Sequence, residues 1–423
     1  MFHDLHDRLD ELVVFHSLTY DRVFSAFRRL LGSVGEGMID WWVVKREYYG
    51  FVRALYAAHT DDWTAYMKDL ILTAETPCSW YAAQGLPIPP TMVESAKREL
   101  RYLSWAASIT SFMLKERHVI MGVGEFTGRQ GLQPEWKAHE VNFLPLFMER
   151  LNDIHRYGVG EFAKHRMFHM ERSYDEDDYG YRLKAVTHPD KVQLSDLTGY
   201  TRQREQVIAN TRALAEGHIA SNILLYGDAG TGKSATVKAV ANAFADQGVR
   251  LIEMTKNELR YLPKLLERLS EDPLKFILFI DDLSFQDNDD DFSALKAVLE
   301  GSISARSQNV VIYATSNRRH IVRETFSQRA GDDVHRNDTM HETISLSDRF
   351  GLQILFDKPN KALYLEIVHT LAEQYGITMD TAQLEQEAER FALRKSGRSA
   401  RAARQLVEQL AAAQSVGSTN HKE

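Results

Sequence analysis

The residues best suited to chemistry lie in one eight-residue run, Gly227-Asp-Ala-Gly-Thr-Gly-Lys-Ser234. It follows an apolar run, Ser221–Tyr226, precedes a helical one, Lys233–Ala245, and matches G-x-x-x-x-G-K-[ST]. Glycines there let successive backbone N–H groups turn toward phosphate, and the helix adds the positive end of its dipole. All eight residues, Gly227, Asp228, Ala229, Gly230, Thr231, Gly232, Lys233 and Ser234, are candidate nucleotide contacts. Lys233 is expected to reach the β- and γ-phosphates, and the Ser234 hydroxyl to bind Mg²⁺. Further on, Phe276-Ile-Leu-Phe-Ile-Asp-Asp282 is a buried-strand pattern ending in acid. Asp281 is the candidate Mg²⁺ ligand and Asp282 the carboxylate that orients an attacking water; the plainer reading is a pair of acids starting a turn. Asn317 closes Ala314-Thr-Ser-Asn317. It could hydrogen-bond that water or the γ-phosphate, or simply cap a strand.

These residues need a scaffold, and the second half of the chain supplies one. Strand-like runs at Arg250–Met254, Lys275–Asp281 and Asn309–Thr315 alternate with helical runs at Lys233–Ala245, Asn257–Leu269 and Phe292–Ser302. Apolar strands separated by helices predict a parallel sheet covered on both faces. Three further helices, 361–374, 381–393 and 399–413, follow Asp357, and the last residues form a frayed tail. The front of the chain predicts helices instead, with Leu5, Leu9, Leu12, Val13 and His16 at helical spacing. All six tryptophans fall at or before Trp136, which marks that part as a different domain.

Composition narrows the class. The chain has 423 residues, enough for two or three domains, and 51 basic against 59 acidic residues give a net charge of −8. That excludes a polycation coating nucleic acid. The single cysteine, Cys78, cannot form an intrachain disulfide or a cysteine-based zinc site, which points to a reducing compartment. No apolar run approaches the roughly 20 residues a bilayer span needs, and the first residues, MFHDLHDRLDEL, lack a secretory pattern. A cytoplasmic protein is expected.

Over residues 190–410 the chain resembles the AAA+ ATPases. Leu194–Tyr200 (LSDLTGY) looks like the segment these proteins place beside the adenine. Asn317 falls where the first sensor sits. Ser347-Asp-Arg-Phe-Gly351 resembles the segment carrying an arginine finger, here Arg349, and Ser396-Gly-Arg-Ser-Ala-Arg401 resembles the second sensor, with Arg401 preferred over Arg398. DDLSF, ALKAVLEGSI, YATSNRRH and LSDRFG resemble one bacterial subfamily catalogued only as domain of unknown function 815. The resemblance implies an α/β fold with an AAA+ P-loop αβα core at 190–358, a helical lid at 359–413 and a tail at 414–423. An all-α domain at 1–180 precedes them and would select a partner. It further implies ATP and Mg²⁺ as cofactors, ATP hydrolysis, and a ring or open helix of identical chains, most often six, acting on a protein partner. Alternatives are an ATP-gated switch or scaffold, and a nucleic-acid-associated loader, which the acidic charge and absence of a DNA-binding motif disfavour.

Two departures from the AAA+ pattern bear on mechanism. The acidic pair is Asp281-Asp282 rather than Asp-Glu, so the second carboxylate is set back by about 1.5 Å, one C–C bond. In the place of an unfoldase's aromatic-apolar-Gly pore loop stands Tyr261-Leu-Pro263, which disfavours peptide threading. Among weaker signals, Glu161, His165 and His169 are spaced as one helix face that could hold a metal but more simply is a solvated face. Gln286–Phe292 is an acidic surface loop rather than a calcium loop, because Phe292 stands where that loop needs glycine. The Trp41-Trp42 pair is expected in core packing. Arg318, Arg319, Arg323, Arg329 and Arg336 form an arginine-rich stretch, read as solvated charge or as a subunit edge.

Overall fold

The computed structural model describes residues 2–34, 41–114, 134–173, 180–283, 285–286, 290–299, 308–317, 322–323, 349–395 and 397–419. Ser347, Asp348, Ser396 and most of the arginine-rich stretch lie outside the described residues. Two compact units divide the chain, Met1–Lys164 and His165–Glu423.

The first unit is helical. Its described helices of seven residues or more are Phe2–Asp10, Arg22–Ser33, Trp41–Ala57, Trp63–Thr73, Pro77–Ala83, Pro90–Ser108 and Phe143–Asn152. Their starts are set locally: the Asp21 side chain accepts from the N–H groups of Val23 and Phe24, and Thr76 and Ser79 form a reciprocal capping box. Phe27, Phe51, Trp63 and Trp136 pack ring to ring at the centre. The indole N–H groups of Trp63 and Trp136 donate to the carbonyls of Ala106 and Ile109. Two sequence expectations fail here. Trp42 is 74% exposed, with the Lys45 ammonium over its ring, so it is not a core residue. The first helix stops at Asp10 rather than running on through His16. The N–H groups of Val13, Val14 and Phe15 are turned instead onto the buried carboxylate of Glu99, at 3.0–3.2 Å. That gives a buried carboxyl group the hydrogen-bond donors it needs and takes them from the helix.

The second unit is built on a seven-stranded sheet. We label its strands β1 (Met167–Arg172), β2 (Tyr181–Ala185), β3 (Ile223–Gly227), β4 (Val249–Met254), β5 (Lys275–Ile280), β6 (Val310–Ser316) and β7 (Leu352–Phe356). The order is β2-β1-β4-β5-β6-β3-β7, parallel except for the antiparallel edge pair β1–β2. β3, β5 and β6 are buried along nearly their whole length, which explains their continuous apolar composition. The helices Thr201–Ala215, Lys233–Phe244 and Leu262–Ser270 accompany the sheet. The chain then continues into Lys361–Gln374, Thr381–Arg394 and Ala400–Thr419, whose buried faces join the same apolar cluster as β3, β5 and β6.

The strands Met167–Arg172 and Tyr181–Ala185 correct the sequence reading, which ran the helical domain on to residue 180. β1 pairs with β4, so these residues belong to the sheet. They also dissolve the proposed Glu161–His165–His169 face. The helix there ends at Lys164, and His169 is a β1 residue whose ring lies 3.9 Å from Glu253. The final helix reaches Thr419, further than the expected end at 413. Tyr261 packs beside Gly180 and Tyr181, where a glycine Cβ would lie 3.1 Å from its ring.

Candidate functional site

Strand register assembles the site. Ile280 of β5 lies beside Ala314 of β6, and Ser316 of β6 beside Tyr226 of β3. The carboxyl ends of three adjacent strands therefore deliver Gly227, Asp281–Asp282 and Thr315–Asn317 to one edge, where open parallel sheets bind ligands.

The glycine loop follows from β3. Gly227 has φ +129°, and a Cβ there would lie 2.2 Å from the Phe356 carbonyl oxygen of neighbouring β7. No side chain fits. Gly230 and Gly232 also have positive φ, +78° and +94°, so the backbone curls before the helix begins at Lys233. Lys233 is 6% exposed. Its ammonium donates to the carbonyls of Gly227 and Asp228 at 2.9 and 2.7 Å and to Asn317 Oδ1 at 3.2 Å. Burial lowers its pKa, opposed by the nearby Asp228, Asp281 and Asp282 and assisted by Arg401.

The acids stand opposite. Asp281 Oδ1 accepts from Ser234 Oγ at 2.6 Å and from Thr315 Oγ1 at 2.5 Å. The Thr315 oxygen in turn accepts from the Asp282 backbone N–H at 2.9 Å. Asp282 has φ +52°, a conformation side chains other than glycine rarely take, and Asn317 Nδ2 donates to its carboxylate at 2.8 Å. Hydroxyl and carboxylate oxygens thus gather beside a buried ammonium. That donor set suits a hard cation such as Mg²⁺ together with phosphate, and the side-chain-free cradle at Gly227 suits close approach of an anion.

A cleft of about 600 Å³ runs over these groups. Its floor is Ala229–Thr236 with Asp281, Asp282, Thr315 and Asn317. One wall is Asp196–Tyr200 with Arg204, and the other comes from the last helices, through Ile367, Leu371, Arg401 and Arg404. Gly227 and Asp228 do not line the cleft; their carbonyls accept from the Lys233 ammonium. Arg401 lines the cleft and donates its backbone N–H to the Gly230 carbonyl at 3.1 Å. Arg398 does not line it. Its guanidinium grips Glu389 at two points, 3.0 and 2.6 Å, and holds that carboxyl below its usual pKa. Arg349 sits half-buried in the turn before β7, beside buried Phe350, and is not part of this cleft's lining. Sequence reasoning missed Arg204 as a wall residue and the double bond-making of Thr315. Neither belongs to a contiguous motif; the first follows from its place one turn after Tyr200, the second only from the β5–β6 register.

The fold is a mostly parallel seven-stranded sheet with accompanying helices, carrying a glycine-rich loop between β3 and the helix that begins at Lys233. Residues 165–414 match the family described as "protein of unknown function (DUF815)", and the chain belongs to it. No curated protein matches the chain. Solved structures that resemble it include a single-substitution variant of Thermotoga maritima RuvB, 18% identical with TM-score 0.37, matched over 51% of this chain and 63% of that one. The Thermotoga maritima RuvB Holliday junction branch migration motor is 15% identical with TM-score 0.36 over 51% of this chain and 63% of that one. The chain thus spans less than two thirds of these proteins' length.

Proposed function

We propose that this protein binds ATP with Mg²⁺ in the cleft above the glycine loop, hydrolyses it, and uses the cycle to remodel or regulate a protein partner recruited through the helical unit. The observation that carries the nucleotide reading is the convergence of Lys233, Ser234, Asp281, Thr315, Asp282 and Asn317 at the ends of β3, β5 and β6. Lys233 exchanges its two loop carbonyls for phosphate oxygens. Ser234 and Asp281 would hold Mg²⁺, which neutralises charge on the phosphates when bound. Asp282 accepts a hydrogen bond from the attacking water and orients it, with Asn317 fixing the carboxylate. Arg401, anchored to the loop through its backbone, places a guanidinium where charge develops. Tyr261 is packed against Gly180 and Tyr181, which argues against a pore-threading role.

A second reading, an ATP-gated switch with slow turnover, is favoured by Asp282 itself. Its short side chain is committed to Asn317, and its backbone is held at positive φ. One experiment separates the two and tests both. The purified protein and Asp282→Asn are compared for ATP affinity by calorimetry and for phosphate release. A hydrolase shows release that the substitution abolishes while ATP stays bound. A switch shows binding in both and release in neither. Absence of ATP binding by the wild type would refute the nucleotide reading altogether.

A further inference from the structure

The first helix, Phe2–Asp10, carries two interleaved His-x-x-x-Asp pairs, His3/Asp7 and His6/Asp10. Residues at i, i+3, i+4 and i+7 share one helix face. Phe2, Leu5 and Leu9 bury themselves in the unit's core, while His3, Asp7 and Asp10 are exposed and His6 is partly buried. His3 Nε2 lies 3.8 Å from Asp7 Oδ2, and His6 Nδ1 lies 3.2 Å from Asp7 Oδ1. One donor atom from each of His3, His6 and Asp7 falls within 4.8 Å of the other two. Donors bonded to one ion at about 2.0–2.2 Å sit roughly 3–3.5 Å apart, so small side-chain rotations close the set.

Packing fixes part of this arrangement beforehand. The His6 ring lies against Gly32 of the neighbouring helix, where a Cβ would come within 2.9 Å of Cδ2 and Nε2. Asp10 Oδ2 stands 3.9 Å from His6 Nε2, and the other Asp10 oxygen is bonded to Arg28. With Nδ1 facing the site, Nε2 therefore faces an anchored carboxylate. A carboxylate behind a ligating imidazole is how metal sites set ring orientation and strengthen the ligand.

The geometry points to a surface site for one borderline divalent transition ion, Zn²⁺ in the first place, held by His3, His6 and Asp7 with Asp10 supporting His6. Two imidazoles and one carboxylate suit Zn²⁺, Co²⁺ or Ni²⁺, whereas Mg²⁺ and Ca²⁺ prefer oxygen alone. Three protein ligands leave the remaining coordination to water or to a donor from outside the unit. The competing account is a set of His–Asp ion pairs that only support the helix, each worth little at an exposed surface.

The test uses the full chain without a polyhistidine tag, titrated with ZnCl₂ by calorimetry and with CoCl₂ by visible absorption, in excess Mg²⁺. We expect one equivalent of Zn²⁺ to bind and to bleach the absorption of bound Co²⁺. His3→Ala and Asp7→Asn, at half-exposed positions where folding is not at stake, should each weaken binding by about ten-fold or more. His218→Ala, an exposed histidine of the other unit, should change nothing. No saturable Zn²⁺ binding, or undiminished affinity in His3→Ala and Asp7→Asn, would overturn the site and leave the helix-supporting pairs as the explanation.

Discussion

Thr315 is the residue on which the acidic corner turns. It is 2% exposed; its hydroxyl donates to Asp281 and accepts from the N–H of Asp282, a residue held at φ +52°. One side chain therefore positions both acids. Thr315→Val keeps the branched shape and removes both bonds, leaving the Asp282 N–H without its acceptor. A loss of about 1–3 kcal/mol in stability is expected, read by denaturant unfolding. Turnover should fall while ATP affinity changes little, because Lys233 and the loop are untouched. A variant turning over at the wild-type rate would show that the corner holds without the hydroxyl. The glycine-rich turn at residues 227–234 was legible as a strand-to-helix joint because its residues are contiguous, while its contact with phosphate belongs to the proposal. Thr315 was visible only as part of a strand-end motif, since its double role needs the β5–β6 register. Likewise Arg398 and Arg401 both follow Gly397, and only the start of the last helix at Ala400 turns Arg401 to the loop and leaves Arg398 to Glu389.

At the scale of elements, the glycine-rich loop is tied to the segment that leads into the last three helices. The Asp228 carboxylate accepts from the Lys358 N–H at 3.0 Å, and the Tyr200 hydroxyl donates to the Asp357 carbonyl at 2.6 Å. Tyr200 packs its ring on Phe356 and begins the helix Thr201–Ala215 from a left-handed conformation. Burial, with the charges of Asp228 and Asp357, pushes its phenol from 10.0 up to about 12. The native state therefore keeps a proton that the unfolded chain gives up. This contribution is full below pH about 10 and is lost as pH rises through about 12. Tyr200→Phe should lack that alkaline loss and cost about 1 kcal/mol at neutral pH, one hydrogen bond. Urea unfolding from pH 8 upward, about four units of range, compares the two. Curves that stay parallel would remove Tyr200's proton from the stability balance of this segment. The sequence foretold the alternating strands and helices here, because fully buried parallel strands are continuous apolar runs. It did not foretell β1 and β2. MFHMER and YRLKA are short, partly exposed strands whose identity comes from pairing, the first between β4 and the second, the second on the sheet's edge, rather than from their own pattern. The first helix's early end was equally hidden, because its cause, Glu99, lies far along the chain.

Whether the whole molecule acts as an assembly of copies turns on the arginine-finger reading of Arg349. Arg349 sits in a turn anchored on its C-terminal side by buried Phe350 and by Gly351, which meets Ser221 so closely that a Cβ would lie 2.8 Å from its hydroxyl. The turn is thus pinned at the opposite end of β7 from the phosphate loop, since Leu352 pairs with Ile223 at the start of β3 and Phe356 with Gly227 at its end. A strand of five residues separates Arg349 from its own chain's loop, about 17 Å at the rise of a parallel strand. A guanidinium cannot span that distance, so the arginine-finger reading requires a nucleotide held by a neighbouring copy. A charge supplied in this way is worth about 10³–10⁵ in rate in related phosphoryl transfers. Arg349→Ala should then bind ATP normally yet hydrolyse almost none. Lys233→Ala should fail for the opposite reason, with an intact arginine and a broken pocket. Mixed together, the two variants should recover part of the wild-type rate, because some interfaces pair an intact pocket with an intact Arg349. Phosphate release from the mixture, with light scattering in ATP and Mg²⁺, checks this. A mixture as inactive as its parts, beside a wild type that stays monomeric, would return Arg349 to a structural role within its own turn.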